Sequence, residues 1–146
     1  MNSIDKLVQS IRERGGKVTP QRLMIYRALE RDQTHPTAEA IHAQVCESMP
    51  MVSLTTVYKT LNELVALGEL RRFDVDGTSH FDTTTTPHAE VVCLSCGAIA
   101  DVVWSTPQQL PIVPDFQIVS QTQTFLGYCG SCRFPPPDGP LPANRQ

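Results

Sequence analysis

Two sets of side chains in this 146-residue chain have the types and spacing of metal ligands. The first is Cys93 and Cys96 with Cys129 and Cys132, two CxxC pairs with 32 residues between them. Each CxxC turn brings its two sulfurs together, and the intervening strands can return one pair to the other. Four soft thiolates form a closed tetrahedral shell suited to Zn²⁺, with no open position for a substrate. Such a site is structural, and its binding free energy acts as folding free energy. A redox role would need a CxxC running into a helix beside a parallel sheet, and neither flank reads that way. The fifth cysteine, Cys46, follows His42 by one helical turn and reads as a half-buried small residue rather than a ligand.

The second set is harder in character. Asp82, His88 and Glu90 lie just before Cys93, Asp101 lies beyond it, and His35 comes much earlier. His88 and Glu90 are two apart, hence on one side of an extended chain. Any one of these is an ordinary surface residue, and composition and spacing leave a second site open. Together they offer two nitrogens and three or more carboxylate oxygens, which suit a five- or six-coordinate Mn²⁺ or Fe²⁺. Two sites with different tasks is a better reading than one mixed site.

The elements that must position these residues follow from periodicity and breakers. Ile4, Leu7, Val8 and Ile11 recur at helical spacing, and Gly15-Gly16 stops that helix. Thr19-Pro20 is a cap and first-turn proline for a second helix carrying Leu23, Ile25, Tyr26 and Leu29. His35-Pro36-Thr37 breaks the chain before a third helix, AEAIHAQVCES, with Ala38, Ile41 and Val45 inward. Ser53 caps a fourth helix in which Leu54, Val57, Leu61 and Leu64 form one buried stripe, ended by Gly68. ELRRFDV, DGT and SHFD then predict a two-stranded hairpin. Helices followed by a hairpin make a winged helix-turn-helix. The threonine run 83–86 reads as a hinge, and the texture after Glu90 is β-rich: VVCLSC, AIADVVW and FQIVSQTQTFLGYC. This second part is too short to build a core unaided, so a metal crosslink or a partner subunit is expected.

Charge is divided unevenly along the chain. Residues 1–72 hold ten Lys+Arg against eight acids, a net of +2, while residues 73–146 hold two against seven, a net of −5. A basic front is a modest pointer to phosphate, set within an overall formal charge of −3. No apolar run approaches the roughly 20 residues needed to cross a bilayer. The first residues lack the pattern of a signal peptide, so a cytoplasmic protein without membrane contact is expected.

VTPQRLMIYRAL (18–29), HPTAEAI (35–41), VSLTTVYKTLNEL (52–64), HFD (80–82), CLSCGAIADV (93–102) and CGSC (129–132) stand in one order across residues 4–132. In these motifs the chain resembles the ferric-uptake regulator (Fur) family of metal-dependent transcription factors. The resemblance implies an α/β two-domain protein: a winged-helix DNA-binding domain over 1–82, a hinge over 83–88 and a small α/β dimerisation domain over 89–134 with the structural zinc. Residues 135–146 form a proline-rich tail expected to be disordered. The resemblance also implies a homodimer that binds a palindromic double-stranded DNA operator when its regulatory metal is loaded. Ser53 to Leu67 would be the recognition helix, with Ser53, Thr55, Thr56, Tyr58 and Lys59 at the DNA, and Lys17 and Arg22 at phosphates.

Within the family the ligand positions look most like the peroxide-sensing (PerR-like) branch. His35, Asp82, His88 and Asp101 match four of its five ligands, and Glu90 stands where that branch usually has a third histidine. The branch pattern implies Fe²⁺-dependent oxidation of His35 and His88. A carboxylate for an imidazole removes a nitrogen and adds a harder, charged donor, favouring Mn²⁺ or Fe²⁺ over Zn²⁺, Cu²⁺ and Ni²⁺. The family usually has a helix in the segment spanning 105–116, where Pro107, Pro111 and Pro114 permit about one turn. An iron-uptake or zinc-uptake regulator is the alternative within the family. A metalloenzyme or a zinc-stabilised interaction module is the alternative outside it. No substrate pocket is suggested by the motifs, and a helix-turn-helix has no task in a stand-alone enzyme, so a non-enzymatic regulator is expected.

Overall fold

A computed structural model describes residues 4–32, 34–86, 88–102, 112–118 and 123–132. The tail at 135–146 and most of the proline-containing segment at 105–116 lie outside these residues. Internal contacts divide the chain between residues 87 and 88.

The first unit is built from four helices and a hairpin: α1 (Ile4–Glu13), α2 (Pro20–Arg31), α3 (Ala38–Cys46), α4 (Leu54–Ala66), β1 (Arg71–Val75) and β2 (Thr78–Asp82). Three hydroxyl caps set its helix starts. Thr19 accepts from the Arg22 amide, Thr37 from Ala40 and Ser53 from Thr56, each satisfying one orphan donor of a first turn. Pro20 then occupies the first position of α2, where no amide is needed. At the far end of α4, Gly68 takes a φ of +73°, with its amide on Val65 and the Glu69 amide on Leu64. That paired closure requires the left-handed conformation glycine adopts without cost. Asp76 and Gly77 both have positive φ, so the wing turns through a two-residue loop that keeps the right-handed strand twist.

The expected stripes are inside. Leu7 and Ile11 of α1, Ile25, Tyr26 and Leu29 of α2, Ala38, Ile41 and Val45 of α3, and Val57, Leu61 and Leu64 of α4 are buried in one cluster with Leu70 and Phe81. Burying each Leu or Ile stabilises by roughly 1.5–3 kcal/mol, so this core alone can hold α4 in place. Leu23 and Leu54, expected on the inner stripes, are only half-buried because they sit at a stripe edge and in a first turn. The third helix also ends at Cys46, short of the expected Ser48.

The second unit is a three-stranded sheet among the described residues. β3 (Ala89–Cys93) is central, antiparallel to β4 (Ile99–Val102) and parallel to β5 (Thr124–Gly127). Within the β-rich stretch 116–129, Thr124–Gly127 is strand among the described residues, and residues 112–118 contain a turn at Pro114–Asp115 and no helix. Among the described residues no helix is long and apolar enough to cross a membrane.

Candidate metal centres and recognition helix

Cys93 ends β3, and its amide closes onto the Ala98 carbonyl at 2.8 Å, folding the first CxxC into a tight turn. The second CxxC follows β5, the parallel neighbour of β3, so sheet register delivers one pair to the other. The four sulfurs all lie within 4.8 Å of one another. Cys96 and Cys129 sulfurs are 3.7 Å apart, far beyond a disulfide bond. It is close to the roughly 3.8 Å edge of a tetrahedron with Zn–S bonds of about 2.3 Å. The donor set fits zinc.

The protons of these thiols are already unevenly held. The Cys96 amide, then the Cys129 amide, favour the Cys93 thiolate and bring it down to about 6. Cys129 is lowered first by the Ser131 amide. The Ser95 hydroxyl acts to lower Cys132, but the adjoining Cys96 and Cys129 outweigh it and push it up to about 12. Four sulfurs this close cannot all shed their protons without a cation between them. The fifth thiol, Cys46, is half-buried on α3, 3.3 Å from His42 Nε2, which also contacts the Val52 carbonyl at 2.9 Å.

The harder donors fall into two groups, one in each unit. In the first, His35 and Asp82 are both buried, with ligand atoms within 4.8 Å. One Asp82 oxygen accepts from the Thr84 amide at 2.7 Å, and the other lies 3.6 Å from the Arg71 guanidinium, its cross-strand neighbour. In the second, β3 and β4 pair Glu90 with Asp101. His88 Nε2 reaches both carboxylates, 3.5 Å from Glu90 and 3.3 Å from Asp101. Glu90 is fully buried. His88 and Asp101 are donors that can share an ion, and the buried Glu90 packs against the same imidazole.

On α4, Thr55 and Lys59 are exposed and Thr56 is half-buried, its hydroxyl 2.9 Å from that of the capping Ser53. Tyr58 is not core: it is 37% exposed and donates its hydroxyl to Glu39 of α3 at 2.7 Å. Lys17 is exposed. Arg22, expected at phosphate, gives its guanidinium to Glu63 of α4 and, at 2.7 Å, to the Lys17 carbonyl. Glu39, Glu63, Arg71 and His80 (whose Nδ1 lies 2.7 Å from the His35 carbonyl) carry site contacts that motif reading did not assign. An acidic residue in the first turn of α3 was the only local signal for any of them.

A winged helix joined to a unit with a four-thiolate cluster, both units carrying His and carboxylate donors, defines a metal-responsive DNA-binding regulator. The chain belongs to the ferric uptake regulator family, whose model matches residues 13–111. Members of that family are transcription regulators, not enzymes. Over 137 residues, 90% of this chain and 93% of the relative, it is 28% identical to the peroxide-responsive repressor PerR of Staphylococcus aureus (strain USA300). The ferric uptake regulator Fur of Helicobacter pylori matches 89% of this chain and 91% of its own with a TM-score of 0.70 at 21% identity. PerR of Streptococcus pyogenes matches 91% and 95% with a TM-score of 0.54 at 22% identity. These two likenesses establish the shared fold.

Proposed function

We propose that this regulator is a cytoplasmic homodimeric repressor that binds a palindromic DNA operator when Fe²⁺ or Mn²⁺ is loaded and responds to peroxide through Fe²⁺. Cys93, Cys96, Cys129 and Cys132 hold structural Zn²⁺. His35, Asp82, His88, Glu90 and Asp101 are the regulatory ligands. The observation that carries this reading is the buried Glu90 with His88 between it and Asp101, a hard donor set distinct from the four sulfurs. The likeness to the S. aureus peroxide-responsive repressor over 90% of the chain supports the same class of signal.

Lys17, Arg22, Ser53, Thr55, Thr56, Tyr58 and Lys59 meet the operator, the threonines, Tyr58 and Lys59 from α4 and Lys17 and Arg22 at phosphate. The Arg22–Glu63 ion pair also fixes α2 to α4. For dimerisation, β5 is a sheet edge among the described residues, with exposed Phe125, Leu126 and Tyr128, an apolar surface that a second copy would cover.

Bound Fe²⁺ supplies one-electron chemistry with hydrogen peroxide. His35 and His88 would be the imidazoles open to oxidation beside it, and transfer of one peroxide oxygen to either ring would weaken the site and release DNA. Glu90 favours a second reading within the family, a manganese-responsive regulator without peroxide chemistry, because carboxylate donors suit Mn²⁺ equally. Mass spectrometry of Fe²⁺-loaded protein before and after brief peroxide separates the two. A one-oxygen gain on the peptide holding His35 or His88 is expected. Unmodified histidines, with iron bound and operator binding intact, would remove peroxide sensing and leave the manganese reading.

A further inference from the structure

His35 and His80 share one aromatic ring. Phe73, buried in β1, meets His35 edge-on with centroids 5.6 Å apart and stacks with His80 at 5.8 Å. His80 Nδ1 also lies 2.7 Å from the His35 carbonyl oxygen. A carbonyl only accepts, so Nδ1 carries the proton and donates it. Two backbone contacts follow in register: Thr37 bridges to His80, and the Phe81 amide donates to the Pro36 carbonyl at 3.0 Å. Strand β2 therefore grips residues 35–37 along their length.

The grip matters because His35 has a φ of +59°. That left-handed conformation crowds the Cβ of an L-residue, and it persists only where surrounding contacts over-determine it. Asp76 and Asp115, the other non-glycine residues with positive φ among the described residues, lie in turns and are exposed. His35 is buried at 6% exposure and is a proposed ligand.

We infer that His80 is a positioning residue for the regulatory metal, holding His35 in its strained backbone through the Nδ1–H to carbonyl bond and the shared Phe73 ring. The inference rests on His35 being a ligand and adds a residue that acts through it. Without the bond, His35 relaxes toward ordinary backbone angles and the ligating conformer becomes a minor fraction. Apparent metal affinity falls in proportion to that fraction.

The test titrates full-length, zinc-loaded protein with Mn²⁺, reading free Mn²⁺ by electron paramagnetic resonance. His80→Phe keeps a ring over Phe73 and removes the donor, and should weaken Mn²⁺ binding about tenfold. His80→Asn places an amide N–H where Nδ1 stood, and should recover affinity to within about threefold of the parent. If H80F does not fold, His80→Gln, whose amide sits one carbon too far, carries the same prediction. Parent-like affinity in H80F, or an H80N variant as weak as H80F, would overturn the positioning role. His35→Ala distinguishes the two levels of the argument. If H35A binds Mn²⁺ like the parent, the ligand assignment fails; if H35A loses binding and H80F does not, only the role of His80 fails.

Discussion

The cysteine cluster and the His/carboxylate set are gathered by the chain in opposite ways. All four cysteines sit in the second unit, on two local turns that parallel β3 and β5 bring together. The harder donors are divided, His35 and Asp82 in the first unit and His88, Glu90 and Asp101 in the second. A soft shell completed within one unit contributes to that unit's folding and has no reason to exchange. On the proposed function the ions have different tasks, the sulfur-bound one supporting the fold and the one held by the harder donors exchanging as the metal signal changes. Ligand chemistry sharpens the contrast, because four thiolates retain Zn²⁺ whereas nitrogen and carboxylate donors hold Mn²⁺ or Fe²⁺ more loosely.

The strongest way to break the comparison is to remove a sulfur. Cys129→Ser should abolish stoichiometric zinc and unfold the second unit, since structural zinc supplies on the order of 10 kcal/mol at neutral pH. Metal analysis together with thermal unfolding checks this. Retention of one zinc per chain with an unchanged melt would mean the cluster is not structural.

A change at Glu90 sharpens the other half. Glu90→His replaces a buried carboxylate by a nitrogen donor and should move the second site's preference from Mn²⁺ toward Zn²⁺ by about tenfold, with the cysteine-bound zinc unaffected. Competitive metal titration reads the shift. An unchanged preference would remove Glu90 from the ligand set.

The smallest expected effect lies on the DNA side. Tyr58→Phe removes the hydroxyl that holds Glu39, and operator affinity should fall about threefold with both metal sites intact. The same bond keeps the Glu39 carboxyl below its usual range, chiefly through the Tyr58 hydroxyl. A depressed folded-state pKa stabilises above the ordinary glutamate range, and that contribution is lost as pH falls through the depressed value. The acid side of the melting profile should therefore flatten in Y58F. Identical acid profiles in both proteins would show that the bond does not persist in solution.

What the sequence disclosed was local. Thr19, Thr37 and Ser53 announce their helices by type and position, Asp76-Gly77 announces its turn, and CxxC spacing announces a tetrahedral sulfur site. The Val57, Leu61, Leu64 stripe followed from helical period alone. Contacts between distant residues were not legible. Arg22 with Glu63, Tyr58 with Glu39 and His80 with His35 are 41, 19 and 45 residues apart, and no periodicity encodes them. The left-handed backbone of His35 was hidden too, because nothing in HPT marks a histidine held there by a strand formed later in the chain. Family motifs pointed to candidate ligands, whereas packing shows which side chains lie against them.

The central claim is that an exchangeable ion in the His/carboxylate set, and not the cysteine-bound zinc, controls DNA binding. Zinc-replete protein titrated with Mn²⁺ against operator DNA at fixed salt tests it most directly. Operator affinity should show a saturable gain at about one Mn²⁺ per chain, with zinc content constant and the gain abolished in His88→Ala. Operator affinity that stays unchanged as Mn²⁺ reaches stoichiometry would contradict it.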